Sequence, residues 1–557
     1  MLPQAIGDIS GLHRYLQSVS EMQCLDRQTW SDLDGDSLCA ALAGTGSLFA
    51  QSVAFDRLNG RTTRSMTDGL ASGIRALQAD RATTGCILQK TLPLKSASPD
   101  AVGMLFNFPL DKDFRWEWVA RILPLVFVAG AASMIASLAT GAVVLAIFGA
   151  GVFFVQSRLY AEMEMLSRLE DEVRRLLGVV LGLSSVPSHG HAVLERVSEH
   201  VTEAKLLFKG MRQSRVLSGL PEAEEYANWL FLRNIRRYLR IRPRLQRHLP
   251  LLRTCFEIVG EVELSATLAS RLHHRAAASC WVTWTGDCAL SFESTTHPVL
   301  SDAVPISLHL QGGGALVTGQ NTSGKSTLLR SIGLNLICAR AFGFCSATRA
   351  TVPYLPVYTS ISIEDRLHQG DSLFAAEVAR AHEMWQAALS EPGLFLIDEV
   401  FRGTNHAESV SAAIGLLEGL AEHGLVVATT HNVELAQLLN GKFVFLVTVR
   451  TPGSESPRFE LRPGVLEKTN ALDILRQSNF GAGMFKRIAE VRSALSPPFT
   501  EDESRPADSD SQEAARIRGR ESASEKQESP EHAPQSGDAL VHPVDPDWVE
   551  PKKRPGS

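Results

Sequence analysis

From Ile122 to Val155 the chain carries thirty-four consecutive residues without a charged side chain. A membrane-spanning helix takes about 20 apolar residues, with a range of about 17–25. The run is therefore long for one span and just sufficient for two short ones. Serine, threonine and glycine gather at Ser137–Gly141, where a tight turn would make a short helical hairpin. Trp116, Trp118 and Arg121 precede the run and Arg158 and Tyr160 follow it, as interfacial anchors do. A hairpin would keep both flanks, with their positive charge, on the cytoplasmic side. The expected location is thus the inner, cytoplasmic membrane, with the lipid bilayer contacted through residues 122–155. The competing readings are a single span and a buried helical pair in a soluble core.

The remainder reads as globular. The chain has 557 residues, 44% hydrophobic and 21% charged, with a formal net charge of −6. That balance excludes a globally basic nucleic-acid coat, so contact with polyanions needs a local patch. Eight scattered cysteines without a CxxC pair point to reduced thiols rather than a disulfide frame or zinc site. The N-terminus lacks a basic-then-apolar export signal.

The expected fold class is α + α/β. Residues 1–110 form the first part of a helical core, 118–158 the transmembrane hairpin and 159–279 a helical core or lever region. The last of these is marked by Leu166, Leu169, Val173, Leu176 and Leu177 at helical spacing. From Cys280 to about Val449, short β-rich runs alternate with amphipathic helices, the pattern of a mainly parallel sheet, and residues 280–495 are the expected P-loop domain. Residues 496–557 are polar and low in apolar content, which predicts a disordered tail.

The strongest motif is Gly319–Gln320–Asn321–Thr322–Ser323–Gly324–Lys325–Ser326–Thr327, which fits GxxxxGK[ST]. A strand-like run, Ala315–Thr318, precedes it and a helical run, Leu328–Ile332, follows, which is the context the motif needs. The glycines let backbone N–H groups wrap phosphates at a helix N-terminus. Gly319, Asn321, Gly324, Lys325, Ser326 and Thr327 are the predicted nucleotide-binding residues. Lys325 would reach the β and γ phosphates and Ser326 would ligate Mg²⁺, so ATP and Mg²⁺ are the expected ligands. The apolar run Leu394–Ile397 ends in Asp398–Glu399. Asp398 is predicted to hold the magnesium shell. Glu399, pointing the other way along the strand, is predicted to orient or deprotonate the attacking water. A third apolar run, Leu425–Thr430, ends at His431, a candidate γ-phosphate sensor. Glu399, His431 and Lys325 are the candidate catalytic set.

These residues resemble the MutS-like ATPases over about Phe292 to Phe480. GQNTSGKSTLLR is similar to that family's phosphate loop, Asp398–Asn405 to its DE…RGT segment, and Thr430–His431 to its switch histidine. Ala341–Ala347 resembles the end of its next helix. Ile363–Phe374 resembles its signature loop, which implies that Ser372 reaches the nucleotide of a partner subunit in a homodimer, with Glu377 following in place. Thr469–Leu472 resembles the opening of a late helix that packs on the partner. Leu25–Asp34 is similar to the start of the core domain in a short, membrane-associated branch. The sequence departs from the repair enzymes at three points. A Phe-x-Glu wedge is missing, and the stretch before Leu25 is too short for a mismatch-reading domain. Phe401 stands where glycine is usual, and Ile306 replaces a polar residue expected in the nucleotide pocket. The resemblance implies ATP hydrolysis in a dimer that moves helical arms, with DNA as a possible substrate but without mismatch reading.

Arg233, Arg236, Arg237, Arg240, Arg242, Arg244 and Arg247 fall within fifteen residues, with Leu232, Ile235 and Leu239 at helical spacing. Arg233, Arg236, Arg237, Arg240 and Arg244 are the candidate polyanion face, for DNA or anionic lipid. The plainer alternative is a solvated face paired with Glu222, Glu224 and Glu225. His189, His191, His273 and His274 lack metal-ligand spacing and read as loop or surface residues. An ATP-switched, membrane-tethered scaffold without a DNA substrate is the rival function. A transporter ATPase subunit would need an LSGGQ-like segment between Lys325 and Asp398, and that stretch has none.

Overall fold

The computed structural model describes residues 25–60, 62–98, 117–187, 190–211, 232–275, 278–320, 323–362, 373–402, 404–439, 441–450 and 459–466, with isolated positions between 103 and 106 and between 484 and 491. The elements named below belong to one compact unit, Met1–Ile474.

The N-terminal half is helical. α1 (Arg27–Asp32), α2 (Gly35–Ala43), α3 (Leu48–Leu58), α4 (Arg64–Ala79) and α5 (Arg81–Thr91) follow in short steps. Asp26, Asp34, Thr63 and Asp80 each precede one of these helices and accept a backbone N–H from its first turn. Two helices meet at Ser137: α6 (Glu117–Ala136) and α7 (Leu138–Leu183), the second capped by the Ser137 hydroxyl accepting from Thr140 N. They lie side by side, with Gly130 against Val144 and Leu145, Gly141 against Met134, and Gly151 against Leu123. Their outer faces are apolar and open. Leu125, Val128, Ile135, Leu138, Val143, Ile147, Phe153 and Phe154 are each more than half exposed. By length and composition α7 can cross a membrane, and Leu125–Ala136 is a shorter apolar helix.

Beyond this apolar part α7 continues without a break into the core, where Leu166, Leu169, Val173, Leu176 and Leu177 are all buried as their spacing predicts. α8 (Ala192–Gly210) and α9 (Arg233–Arg247) pack near it, and α10 (Leu249–His274) threads the bundle. α10 is closely packed because Gly260 lies against the Phe49 backbone, where a Cβ would stand 2.7 Å from the carbonyl oxygen. The bundle's core merges with that of the sheet region into one apolar cluster running from Leu33 to Leu446.

The sheet region opens with β1 (Cys280–Trp281), β2 (Thr283–Thr285), β3 (Ala289–Thr295) and β4 (Ile306–Gln311), then β5 (Gly314–Gly319) and α11 (Lys325–Phe342). β6 (Phe344–Cys345), β7 (Arg349–Pro353), β8 (Val357–Ser360), α12 (Leu373–Ser390), β9 (Leu394–Asp398), α13 (His406–His423), β10 (Leu425–Thr430), α14 (Glu434–Leu438), β11 (Phe443–Arg450) and β12 (Phe459–Pro463) complete it. The main sheet has the order β12-β11-β5-β10-β9-β8, parallel except for β12. β5 and β10 are buried throughout, which explains their unalternating apolar sequences. A smaller sheet, β2-β7-β3-β4, and the two-stranded pair β1-β6 stand apart.

Strand β8 is an edge of the main sheet, and α1 covers it. Asp32, almost wholly buried, accepts from Thr359 Oγ1 at 2.8 Å, Ile361 N at 2.9 Å, Ser362 N at 3.0 Å and Gln28 Nε2 at 3.0 Å. Arg380 of α12 donates to Thr359 O at 2.8 Å, to Asp26 at 3.1 Å and to Thr29 Oγ1 at 3.0 Å. An open strand edge is a template for wrong pairing. Here the N–H groups of Thr359, Ile361 and Ser362 are taken by Thr29 and Asp32 of the N-terminal segment, and the Thr359 carbonyl by Arg380.

Cys280 and Cys345 are free thiols and sit opposite each other on β1 and β6 with sulfurs 3.8 Å apart. Two sequence expectations change. His191 is buried, not a surface residue, and lies 3.5 Å from Asp80. The arginine run does not present one uniform face. Arg236, Arg240, Arg244 and Arg247 are exposed, whereas Arg237 turns inward to Glu170 at 2.7 Å. Glu222, Glu224, Glu225, His189 and residues 496–557 lie outside the described residues.

Replacing Asp32 with alanine strands two backbone N–H groups and a threonine hydroxyl without an acceptor. The expected loss is roughly 3 kcal/mol, read as a drop of several degrees in the thermal midpoint. Arg349→Ala, which removes an exposed ion pair with Glu293, should move it by less than a degree. Equal midpoints for wild type and Asp32→Ala would refute the edge-docking role.

Candidate functional site

The site is assembled at the carboxyl ends of β5, β9 and β10, where a parallel sheet places ligands. β5 lies between β11 and β10, and β10 separates it from β9. The strand carrying the phosphate-loop motif and the strand ending in Asp398 are therefore one strand apart, with Thr429, Thr430 and His431 between them.

Gly319 closes β5 under a tight roof, since a Cβ there would collide with Thr448 Oγ1 and Ser323 Oγ. Those two hydroxyls share a hydrogen bond at 2.7 Å, tying the loop to β11. Gly324 turns the chain into α11 at φ 80°, a conformation that glycine adopts without strain. Lys325 is buried, and its ammonium donates to Gly319 O at 3.0 Å and Gln320 O at 3.1 Å, across the curve of the loop. Ser326 is half-buried and Thr327 exposed on the first turn of α11. Asn321 and Thr322 lie outside the described residues.

Asp398 is the convergence point. Ser326 Oγ donates to one carboxylate oxygen and Thr429 Oγ1 to the other. The hydroxyl of the phosphate loop and the carboxylate predicted to share a magnesium ion are thus already in contact. Thr429 is an addition to the predicted site residues. Its signal in the sequence is its place at the end of a buried strand next to one ending in Asp-Glu.

Glu399 corrects the geometry expected of it. It does not continue the strand's alternation. It sits in the left-handed region at φ 56°, with its N–H donating to Thr429 O at 3.0 Å. That turn brings its carboxylate to His431 Nδ1 at 3.1 Å and to within 3.7 Å of Arg402. The hydrogen bond from His431, with the positive charge of Lys325 and Arg402 nearby, holds the Glu399 carboxyl below its ordinary value despite burial. The same bond raises His431 above its ordinary value. Arg402 also approaches the buried carboxylate of Glu377, which accepts the Arg402 backbone N–H at 3.2 Å. Phe401, at φ 54°, is buried, and its ring lies 6.1 Å from that of Phe374. The larger side chain at this position is therefore a packing element. The structure thus joins Gly319, Gly324, Lys325, Ser326, Asp398, Glu399 and His431, brings in Arg402 and Glu377 from the segments that resemble the family, and adds Thr429.

Other expected residues fall elsewhere. Ser372, Gly403, Ile363–Ser372 and Thr469–Leu472 lie outside the described residues. Ile306 begins β4 of the small sheet and pairs with Thr295. Among the described residues no cluster of three His, Cys, Asp or Glu side chains could by itself hold a metal ion.

Comparison with known proteins agrees with this geometry. Residues 315–480 match the family MutS domain V, the P-loop ATPase domain of MutS proteins. The Endonuclease MutS2 of Carboxydothermus hydrogenoformans is 32% identical over 255 residues, covering 44% of this chain and 32% of that protein. The DNA mismatch repair protein MutS of Thermus aquaticus is 32% identical over 206 residues, 36% of this chain and 25% of that protein. A DNA mismatch repair protein MutS of Thermus thermophilus is 29% identical over 266 residues, 46% of this chain and 32% of that protein. The chain spans about a third or less of the length of these curated relatives. The chain is thus similar to MutS and MutS2 proteins over part of its length, and residues 315–480 are the part that matches MutS domain V.

Proposed function

We propose that the protein binds and hydrolyses ATP at the carboxyl edge of its main sheet, and that it works as a membrane-anchored homodimer. The observation that carries this reading is the convergence of Ser326 and Thr429 on Asp398, beside the Glu399–His431 pair and Lys325. These groups fit a magnesium–triphosphate. Ser326 and Asp398 would hold the ion, which neutralises charge building on the phosphates. Backbone N–H groups of the loop and the start of α11 bind the phosphate chain, and Lys325 exchanges its carbonyl partners for phosphate oxygens. Glu399, kept ionised by its neighbours, orients the attacking water and accepts its proton. His431 fixes that carboxylate and lies where it can register the terminal phosphate. The family likeness supports Ser372 as the group that reaches the partner's nucleotide.

The relatives are named as an endonuclease and as DNA mismatch repair proteins, and DNA is accordingly the proposed substrate class. Insertion of α6 and the first part of α7 in the cytoplasmic membrane is supported by their exposed apolar faces. Soluble monomers rarely leave a contiguous apolar face of this kind open to water. The ATPase then faces the cytoplasm.

In the detergent-solubilised protein, Glu399→Gln should retain ATP binding and lose turnover by about 10²–10⁴-fold. Undiminished hydrolysis would remove Glu399 from the reaction. With ATP trapped in that variant, light scattering should report a dimer, and a mobility-shift titration should detect duplex or branched DNA. A dimer that binds ATP but ignores DNA would leave the ATP-switched scaffold reading, and a monomer indifferent to nucleotide would defeat both.

The Glu399–His431 pair also makes a pH prediction. His431 has its pKa raised above 6.5, so its contribution is complete below pH 6.5 and fades as pH climbs through the raised value. Glu399 lies below 4.5, so its contribution is complete above pH 4.5 and is lost as pH falls through the lowered value. The pair is therefore strongest between about pH 4.5 and 6.5. The thermal stability of wild type over His431→Gln should be greatest between about pH 4.5 and 6.5 and decline as pH rises through the raised His431 value. A pH-independent difference would exclude the ion pair.

A further inference from the structure

Helix α9 has seven arginines and no acidic residue, and its position is specific. Its buried side begins with Leu232 and Ile235, which join Leu123, Phe148, Val152, Val155 and Leu159 in a separate small cluster. Asn234 and Gln156 exchange amide hydrogen bonds at 2.9 and 3.3 Å, and Tyr238 OH donates to Glu162 at 2.7 Å. The helix is thus fixed to α7 where the exposed apolar Phe153 and Phe154 give way to Gln156 and the exposed Arg158. From there it runs away from the apolar end. Arg244 Nη1 donates to Gly210 O, one residue before the Met211 carbonyl that Arg174 holds.

The exposed face of α9 carries Arg236, Arg240, Arg244 and Arg247 as a single stripe. At about 1.5 Å per residue, Arg236 and Arg240 lie about 3 and about 9 Å past Asn234 along the helix, and Arg244 and Arg247 about 15 and about 20 Å. The headgroup layer on one side of a bilayer is roughly 5–8 Å thick, and an arginine side chain extends its charge several ångströms further. Only the first two arginines reach it. Guanidinium groups are weakly hydrated forks that match phosphate oxygens, and the cytoplasmic leaflet is anionic.

We propose that Arg236 and Arg240 bind the headgroup phosphates of anionic phospholipids and so set the depth and tilt of the apolar helices. This rests on the reading that residues 122–155 enter the membrane. A nucleic-acid site would instead draw on the whole stripe, with Arg244 and Arg247, farthest from the bilayer, the most accessible to a duplex.

The test uses the full chain in mixed micelles of phosphatidylcholine and phosphatidylglycerol in equal amounts, re-isolated and its bound lipids counted by mass spectrometry. The wild type should retain phosphatidylglycerol about ten-fold over phosphatidylcholine. Arg236→Gln with Arg240→Gln should abolish that preference, while Arg244→Gln with Arg247→Gln, an equal loss of charge, should keep it. Detergent-phase ATPase activity, expected unchanged in both double variants, controls for folding. No enrichment, equal loss in the two variants, or displacement of the lipid by duplex DNA would overturn the assignment. Extraction from membranes only by detergent, without headgroup preference, defeats this inference alone. Release into buffer without detergent defeats the membrane reading with it.

Discussion

The carboxylate of Asp398 is the hinge of the site, because three separate strands are registered by what it accepts. Ser326 follows β5, Thr429 belongs to β10 and Asp398 itself ends β9. A half-buried carboxylate is costly unless its oxygens find donors, and here each oxygen accepts from a hydroxyl of a neighbouring element. The arrangement therefore fixes the relative heights of the three strand ends. It also makes the contact between Ser326 and Asp398 a consequence of how the sheet is packed.

Much of this is legible in the sequence. GxxxxGK[ST] between an apolar run and a helical one, and two further apolar runs ending in Asp-Glu and in Thr-His, identify β5, β9 and β10 and most of the site. Two features escape for physical reasons. The left-handed turn at Glu399 is unusual for a glutamate, and alternation along a strand says nothing about a residue just past its end. Thr429 looks like one more β-branched residue in a buried strand, because only the pairing of β10 with β9 brings its hydroxyl to Asp398. Cys280 and Cys345, and Ser323 and Thr448, illustrate the same limit: partners distant in the chain carry no local signal.

The helical half obeys its periodicity better than its boundaries. Leu166 to Leu177 lie inward as their spacing demands, yet the helix that carries them starts far upstream at Leu138. Nor is the half independent of the sheet. Asp32, Thr29 and Asp26 are threaded into β8 and α12, so the first described residues of the chain complete an edge formed more than three hundred residues later. Burying polar groups this way favours one docking register, since a slip of one residue would leave backbone N–H groups unpaired.

One consequence follows from the unbroken length of α7. Its 46 residues make a rod of about 69 Å, anchored by Leu176 and Leu177 at one end and by Phe148 and Val152 at the other. It contains no proline. Its backbone hydrogen bonds run unbroken from the packed leucines to Phe148, Phe153 and Phe154, so the inner bundle and the outer apolar face share one continuous helical axis.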